Sequence, residues 1–338
     1  MFYRNKNMKQ IEDDKRVGIT TTVPIEIIYS AGLVPVDLNN LFIAKENALQ
    51  LVDMAESAGY PRSFCAWVKG IYSVVQESGI KKVVGVIQGD CSNTHVLLDT
   101  LSEVGITSIP FTYPYDKSEE IFEIELVRFA DKFQTTIEKA ERWKVRLDKI
   151  RAKVNEIDRV NIDRRYLKAG ELNLLLLSTS DMLSDPDSFE SKVDSVYKGI
   201  RGNAQKRTGK RIGMVGIPPI FTDFFDFIEG TLGLECVYIE VARQFALPLG
   251  GESILQTYLK YTYPYGIFTR LEDIKAEIDN RAIDGIIHYV QGFCYRQVEL
   301  IILRNHIKIP IIQIEGDKPG VLDEATKVRL QAFAELLA

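Results

Sequence analysis

The sequence predicts an α/β protein of two flavodoxin-like lobes with parallel sheets, joined by a helical segment. Three observations lead to this fold class. Short apolar runs alternate with helical patterns towards both ends of the chain, the middle is charged and helical, and the two ends resemble each other. The expected boundaries are residues 1–116 for the first lobe, 117–210 for the helical segment and 211–338 for the second lobe, a pseudo-duplicate of the first.

The first lobe combines buried strands with helices. Apolar runs at residues 16–20, 82–88 and 105–111 predict parallel strands, since strands buried on both faces are apolar throughout. Helical spacing of apolar residues predicts helices over residues 26–31, 44–59, 65–78 and 93–104. Strands that alternate with helices are typical of βαβ units, in which helices cover both faces of the sheet.

Residues 117–210 have a different composition. They are rich in Glu, Lys and Arg, contain a single proline, Pro186, and keep their apolar residues at helical spacing. This pattern predicts several helices that link the two lobes. The charges are interpreted as a solvated helical face.

The α/β pattern resumes in the second lobe and repeats the first. Strands are predicted near residues 211–215, 237–241, 285–290 and 309–314. Four short matches occur in the same order roughly 200 residues apart. They pair residues 16–19 with 211–214, Tyr60-Pro61 with Tyr263-Pro264, residues 86–91 with 289–294, and Ile109-Pro110 with Ile309-Pro310. Four matches in register indicate an internal duplication.

Composition and charge argue against several classes of protein. The 338 residues carry a formal net charge of -5, whereas phosphate binding needs a concentrated basic face, so no nucleic-acid partner is expected. No apolar run reaches the length of a membrane span, and the polar residues 1–16 lack the apolar core of a secretion signal. We therefore expect a cytoplasmic protein without a membrane partner. Its four cysteines should stay reduced and be buried, catalytic or metal-bound.

Three of the four cysteines lie where an α/β protein places ligands. Cys91 and Cys294 each follow a predicted strand and a Gln-Gly turn and precede a helix, and Cys65 begins a predicted helix. Ligands bind beyond the carboxyl ends of parallel strands, and a helix N-terminus favours a thiolate over a thiol. Counted from the Tyr-Pro pair, the residue that corresponds to Cys65 in the second lobe is Phe268.

These three thiols around an inter-lobe cleft predict an iron–sulfur cluster on Cys65, Cys91 and Cys294. A 4Fe–4S cluster normally takes four thiolates. Three thiolates would leave one iron open for substrate, water or an extra sulfide.

Other interpretations of the cysteines remain open. A core cysteine is usually a small hydrophobe, which is our interpretation of Cys236 in its apolar run. Zinc on the three other cysteines and His95 is an alternative, although short Cys-x2-Cys spacing is missing. A cysteine nucleophile with a histidine partner is a third, without a recognisable hydrolase motif. The sequence contains no phosphate-cradling glycine motif, so ATP or NAD binding by this chain is not indicated.

Further polar residues are candidates for the same site. Glu26, Arg62, His95 and Arg296 are the candidate catalytic residues: Glu26 opens a helix, and the two arginines stand close to Cys65 and Cys294, where they could bind an anion or tune a cluster. For each of these residues a purely structural role is the alternative. Gln88 and Gln291 are expected to donate hydrogen bonds to cluster sulfurs. The tyrosines at 258, 261, 263 and 265 are interpreted as packing around the cluster.

Both ends of the chain resemble the 2-hydroxyacyl-CoA dehydratase and benzoyl-CoA reductase superfamily. Residues 17–36, with Val17-Gly18-Ile19 and Pro24-Ile25-Glu26, are similar to its N-terminal signature. Residues 309–317, followed by a helix with Arg329 and Phe333, are similar to its C-terminal signature. The three cysteines fall where the cluster ligands of that superfamily fall.

The resemblance implies a two-component system in which a separate ATP-hydrolysing iron–sulfur activator delivers a low-potential electron to the cluster protein. Dehydratases of this superfamily remove water from (R)-2-hydroxyacyl-CoA thioesters, and benzoyl-CoA reductases reduce an aromatic ring. A third branch consists of homodimers that hold an 8Fe–9S double-cubane cluster and reduce small molecules.

We favour the homodimeric double-cubane branch, because two chains supply six thiolates and leave one iron of each cubane for a bridging sulfide. A dehydratase or benzoyl-CoA reductase subunit with one 4Fe–4S cluster per chain is the alternative. A cluster-based module that binds a ligand or senses oxygen is the rival of another class.

Overall fold

The computed structural model describes residues 11–200 and 205–338 and contains two parallel four-stranded sheets. The first ten residues of the predicted first lobe, and residues 201–204 of the predicted helical segment, lie outside the described residues. The strands of the first sheet are β1 (Arg16–Ile19), β2 (Val34–Asp37), β3 (Lys82–Gln88) and β4 (Thr107–Thr112). They run parallel in the order β2-β1-β3-β4.

Five helices pack on the first sheet: α1 (Ile25–Ser30), α2 (Leu38–Ile43), α3 (Ala48–Ser57), α4 (Ala66–Ser78) and α5 (Asn93–Glu103). Two details differ from the sequence-based expectation. Neither strand β2 nor helix α2 was predicted, and the helix predicted over residues 44–59 is α3. Asp37 explains part of the difference, because its side chain accepts hydrogen bonds from the backbone of Asn39 and Asn40 and so caps α2.

The central segment contains the helices α6 (Glu119–Lys132), α7 (Ile137–Asn161), α8 (Ala169–Leu177) and α9 (Pro186–Gly199). The short strands β5 (Arg164–Arg165) and β6 (Gln205–Lys206) pair antiparallel beside them. The interpretation of all charges here as a solvated face is wrong for α7, which buries Lys144, Arg151 and Asp158. Each of these three side chains is paired with an opposite charge, which is how a charged group is tolerated inside a protein.

The second sheet repeats the first. Its strands are β7 (Arg211–Gly216), β8 (Glu235–Ile239), β9 (Gly285–Gln291) and β10 (Ile311–Gly316), parallel in the order β8-β7-β9-β10. Its helices are α10 (Phe224–Asp226), α11 (Glu240–Phe245), α12 (Ile254–Lys260), α13 (Ile267–Arg281), α14 (Glu299–His306) and α15 (Glu324–Leu337). The order of the four strands is the same in both sheets, which confirms the predicted class of two flavodoxin-like α/β lobes.

A continuous apolar core joins the two lobes and the central helices. It contains Val17 of β1, Leu172 of α8, Tyr258 of α12 and Ile287 of β9, all buried. The lobes therefore share their packing with α7 and α8. In the described ranges, none of the helices combines the length and the apolar character that crossing a membrane requires.

Candidate metal centre

Cys65, Cys91 and Cys294 line one cavity of about 560 Å³ between the two lobes and α8. Cys65 is the N-cap of α4, Cys91 follows β3, and Cys294 precedes a 3-10 turn after β9. All three are free and half-buried. Cys236 is fully buried in β8, and its sulfur lies 3.7 Å from the carbonyl oxygen of Tyr238. The structure thus brings together the three predicted ligands and keeps the fourth cysteine apart.

A glycine turn sets the position of Cys91. Gly89 has φ of 100°, in the left-handed region that favours glycine. A Cβ atom there would lie 2.9 Å from the Cβ atoms of both Tyr113 and Pro264. Because Pro264 belongs to the second lobe, this turn also allows the close approach of the two lobes beside the cavity.

Each sulfur faces backbone N–H groups, but burial dominates its pKa. The N–H groups of Trp67 and Val68 face Cys65, that of Asn93 faces Cys91 and that of Arg296 faces Cys294. These groups lower the thiol pKa, as a helix N-terminus is expected to do.

Burial nevertheless raises the pKa of Cys65 to about 11 and that of Cys91 to about 12, and it raises the pKa of Cys294. The expected thiolate character is therefore absent while the thiols are unbound. A bound cation would deprotonate them, since a metal stabilises the thiolate directly.

The three thiols fit a multi-iron cluster as a donor set. Among the described residues, no group of three or more His, Cys, Asp or Glu side chains is placed to hold a single metal ion. Sulfur ligands of one tetrahedral zinc lie only about 3.8 Å from one another, given a Zn–S bond of about 2.3 Å. In a cubane each thiolate binds a different iron, so thiols spread around a cavity suit a cluster.

Asp90, Tyr263 and Arg296 form a polar group beside the cysteines, in which Tyr263 and Arg296 are buried and Asp90 is half-buried. The hydroxyl of Tyr263 donates to Oδ1 of Asp90 over 3.2 Å. Burial raises the pKa of the Asp90 carboxyl to about 6, although the Arg296 guanidinium lowers it. This guanidinium lies 4.8 Å from the ring centroid of Tyr263 and donates to its carbonyl oxygen over 3.2 Å. A positive charge thus stands close to Cys294, where the predicted cluster would carry negative charge.

A chain of buried charges holds Arg296 in place. Glu299 accepts from Arg296 over 3.4 Å and from Arg270 over 2.6 Å. Arg270 is fully buried and also pairs with both carboxylate oxygens of Glu240, at 2.7 and 2.9 Å. Each of the four charged side chains, Arg296, Glu299, Arg270 and Glu240, contacts an opposite charge, which stabilises it inside the second lobe.

The two candidate glutamines are placed differently. Gln291 is buried and lines the cavity, but its Nε2 donates to the carbonyl oxygen of Asp317 over 2.7 Å. The remaining Oε1 is an acceptor without a hydrogen-bond partner among the described residues. Only one of the two N–H groups of this amide is used in that bond, so donation to a cluster sulfur stays a prediction for Gln291. Gln88 is exposed at the end of β3 and does not line the cavity.

Three of the four candidate catalytic residues lie away from the cavity, and only Arg296 lines it. Glu26 is buried against Arg151 at 2.5 Å and Tyr258 at 2.9 Å. Arg62 is exposed, with its side chain 3.9 Å from Glu56. His95 is exposed, and its Nε2 lies 2.9 Å from the carbonyl oxygen of Ile87. For Glu26, the buried ion pair gives the side chain a structural explanation.

The assignment of Phe268 to the place of Cys65 is wrong. Helices α4 and α13 precede the third strand of each lobe, and their N-caps are Cys65 and Gly266. Phe268 lies inside α13, is 63% exposed and contacts the ring of His306. Counting from the Tyr-Pro pair fails because the loop before α13 is shorter than the loop before α4.

Sequence reasoning missed Asp90, Trp67 and Asn173, which all line the cavity. Asp90 carried a signal, because the repeat places Phe293 at the same step of the second lobe. A polar residue in one lobe where the other lobe has an apolar residue indicates a position whose role is not shared by the two lobes. Asn173 carried a weaker signal as the one polar residue between Leu172 and Leu174.

The fold and the site together define a class of protein: a two-lobed parallel α/β protein with three thiols around a cavity shared by the lobes. A family model described as 2-hydroxyglutaryl-CoA dehydratase, D-component, matches residues 20–337. This chain therefore belongs to that family, which confirms the resemblance seen at its two ends. Its family makes it a component of a dehydratase-type enzyme. No curated protein matches the chain significantly.

Proposed function

We propose that this chain is the iron–sulfur catalytic component of a two-component, ATP-dependent reductive system. The observation that carries the proposal is the convergence of Cys65, Cys91 and Cys294, from both lobes, on one cavity. These three residues would hold the cluster as thiolates. When bound, an iron–sulfur cluster of this kind supplies one-electron chemistry at low potential.

The chain's own groups have distinct parts in this proposal. Arg296 offsets the negative charge of three thiolates, and the charge chain through Glu299 and Arg270 keeps its guanidinium in place. Asp90 and Tyr263 share a hydrogen bond next to Cys91 and can hold a proton beside the cavity. The apolar walls, including Leu97, Leu174 and Phe221, exclude water from the substrate.

The partner in this proposal is a separate ATP-hydrolysing iron–sulfur activator. Support comes from the family match and from the lack of a phosphate-cradling glycine motif in this chain. Turnover of a small molecule should require the activator, ATP and a reductant. A ligand-binding or oxygen-sensing module would instead change its cluster without converting a substrate.

Two stoichiometries follow from three thiolates per chain. In a homodimer, two chains could share an 8Fe–9S double cubane, and the chain would need no other subunit apart from its activator. The second candidate is a dehydratase subunit with one 4Fe–4S cluster, which the description of the matching family favours. That protein would need a second, different chain to remove water from a 2-hydroxyacyl-CoA thioester.

The decisive experiment is to express the chain alone without oxygen and to measure its mass, iron and acid-labile sulfide. We expect a brown homodimer with eight irons and nine sulfides per dimer. Separate four-iron clusters, or a stable monomer, would defeat the double cubane and leave the dehydratase-subunit candidate. Colourless, iron-free protein after anaerobic reconstitution would overturn the cluster itself.

A further inference from the structure

Exposed residues mark the rim where the cavity between the lobes opens to solvent. The polar ones lie at the N-terminus of α8 and around α10: Lys168, Glu171, Thr222 and Asp226. The aromatic ones are Phe293 and Tyr295, which directly precede and follow Cys294 in the chain. The part of the rim beside this thiol is therefore aromatic.

Phe293 has a backbone conformation that its side chain disfavours. Its φ is 62°, in the left-handed region where a Cβ atom crowds the neighbouring backbone. In the matching turn of the first lobe, the positive φ falls on a glycine, Gly89, at 100°. The second lobe thus contains a strain that the first lobe avoids.

Hydrogen bonds on both sides of Phe293 hold this conformation. The N–H of Gly292 donates to the carbonyl oxygen of Gly316 over 2.7 Å, at the end of β10. The N–H of Cys294 donates to the carbonyl oxygen of Gln291 over 3.0 Å, at the end of β9. A strained residue persists where its surroundings fix it in this way. The ends of the two strands therefore hold the phenyl ring at the rim.

Packing does not explain why this position is a phenylalanine. Phe293 is 72% exposed, so burial of its ring contributes little to stability. Tyr295 differs, because the guanidinium of Arg296 lies 5.4 Å from the centroid of its ring. A strained and exposed aromatic residue at the opening of a cavity points to a role towards the molecules that enter.

We infer that Phe293 is a specificity-determining residue of the proposed site: its ring narrows the cavity mouth beside Cys294 and restricts entry there to slim molecules. A slim molecule passes the ring and reaches the thiols, whereas a bulky one is held at the rim. The inference rests on the proposed function in one respect, since it takes this cavity as the route by which a substrate reaches the cluster.

Thiol labelling of the full-length, metal-free chain without oxygen tests the mouth directly. The probes are N-ethylmaleimide, which is slim, and N-(1-pyrenyl)maleimide, which carries the same reactive group on a wide ring system. Both react with the same thiolate, so the ratio of their rates does not depend on the thiol pKa. Mass spectrometry of peptides gives the rates at each cysteine. Cys91 is the most informative, because it belongs to the other lobe and is not a neighbour of Phe293 in the chain.

Removal of the ring should let the wide reagent in. We expect Phe293→Ala and Phe293→Gly each to raise the pyrenyl-to-ethyl rate ratio at Cys91 by at least about threefold. Phe293→Tyr keeps a ring of the same width and should leave the ratio unchanged. Phe268→Ala is the matched control, since Phe268 is 63% exposed and lies in α13 outside the cavity.

The same variants separate backbone strain from ring packing. Glycine relieves the strain at this φ and alanine does not, so the metal-free Phe293→Gly chain should have a Tm about 2 °C above that of Phe293→Ala. Cys236 is 1% exposed, and its labelling reports unfolding. It should stay unlabelled in every variant.

The role of Phe293 is overturned if neither Phe293→Ala nor Phe293→Gly changes the ratio at Cys91, or if Phe268→Ala raises it as much. It is also overturned if Phe293→Gly labels at Cys236 or melts more than about 2 °C below the unmodified chain, because the ring is then structural. These rates need no cluster. An unchanged ratio in a chain that binds iron defeats only the role of Phe293, and a raised ratio in a chain that binds no iron defeats only the cluster.

Discussion

At each cysteine of the cavity, two opposing effects act on the sulfur. Backbone N–H groups at a helix start favour the thiolate, and removal of water favours the thiol. Burial is the larger effect, since it raises the pKa of Cys65 to about 11. Sequence position was enough to select these residues, because the carboxyl ends of strands, for Cys91 and Cys294, and the start of a helix, for Cys65, are visible in the hydrophobic pattern. The sequence did not predict which of the two effects is larger, because the loss of hydration depends on how deep the cavity is.

Replacement of the cysteines tests the ligand set. We expect Cys65→Ala, Cys91→Ala and Cys294→Ala each to lose most of the iron, because each removes one metal bond. Cys236→Ala is the matched control: it should keep the iron and cost about 1 kcal/mol of unfolding free energy from a small cavity. Iron and sulfide per chain, measured anaerobically, give the answer. Loss of iron from Cys236→Ala alone would mean that the ligand set is wrong.

Gly89 offers a second test at the residue scale, with Gly59 as its control. Both have positive φ, at 100° and 112°, but only at Gly89 would a Cβ atom collide with the chain. Gly59→Ala should cost about 1 kcal/mol from the backbone alone. Gly89→Ala should cost more and should also lower the iron content, since the turn carries Cys91. Equal costs, measured by urea unfolding, with full iron in both, would contradict this role of the turn.

At the scale of elements, the sequence predicted most of the strands. It did not predict strand β2 or the contacts that neighbouring segments make with each other. Strand β2 escaped notice because it has only four residues and contains Pro35, which is tolerated because β2 lies at the edge of its sheet. The amide orientation of Gln291 was equally hidden. It depends on the carbonyl of Asp317, which the loop after β10 supplies.

A strained turn between α8 and α9 links the central segment to the first lobe. Met182, Leu183 and Ser184 all have positive φ, at 54°, 52° and 58°. The buried carboxylate of Asp181 holds them, since it accepts from the backbone of Leu183 over 2.8 Å and from the backbone of Asp37 over 2.8 Å. Asp37 in turn caps α2, whose residues line the cavity. The turn therefore fixes one wall of the site.

The Asp181 turn predicts a pH dependence of stability. Burial raises the pKa of the Asp181 carboxyl to about 7 in the folded chain, above its ordinary value of 3.8. The folded state then binds this proton more tightly than the unfolded state, so the unfolding free energy should fall as pH rises from about 4 to 7. Between pH 5 and 7.5 we expect a fall of roughly 2 kcal/mol.

Asp181→Asn should reduce this slope in urea unfolding of the metal-free chain, because the amide does not titrate; the slope that remains comes from other carboxyls whose pKa burial raises, such as Asp90. Asp194→Asn, on the half-exposed face of α9, should keep the slope of the unmodified chain. A slope that is the same in all three proteins would show that Asp181 is not the titrating group.

At the scale of the whole molecule, the repeat of strand order and the two strand-end cysteines reflect the same duplication. The third cysteine breaks it, because the N-cap of α4 is Cys65 and the N-cap of α13 is Gly266. The boundaries at 116 and 210 stay predictions. The shared core and the buried charges of α7 depend on contacts between distant segments, which periodicity does not reveal.

One buried ion pair connects all three parts of the molecule. Glu26 comes from α1 of the first lobe, Arg151 from α7, and Tyr258, which donates to Glu26, from α12 of the second lobe. Glu26→Gln leaves the Arg151 guanidinium buried with only Asp148, 3.0 Å away and partly exposed, as its charged partner. We expect this variant to lose about 3 kcal/mol of unfolding free energy, as is typical when one member of a buried pair is removed.

Two comparisons make the test of this pair specific. Glu190→Gln breaks a half-exposed pair with Lys153 and should cost less than about 1 kcal/mol. The double variant Glu26→Gln with Arg151→Met should recover part of the loss, because an apolar side chain needs no charged partner. Urea unfolding of the metal-free proteins measures all three. The proposed role of the ion pair is contradicted if Glu26→Gln lowers the unfolding free energy no more than Glu190→Gln does. It is also contradicted if the double variant has the lowest unfolding free energy of the three.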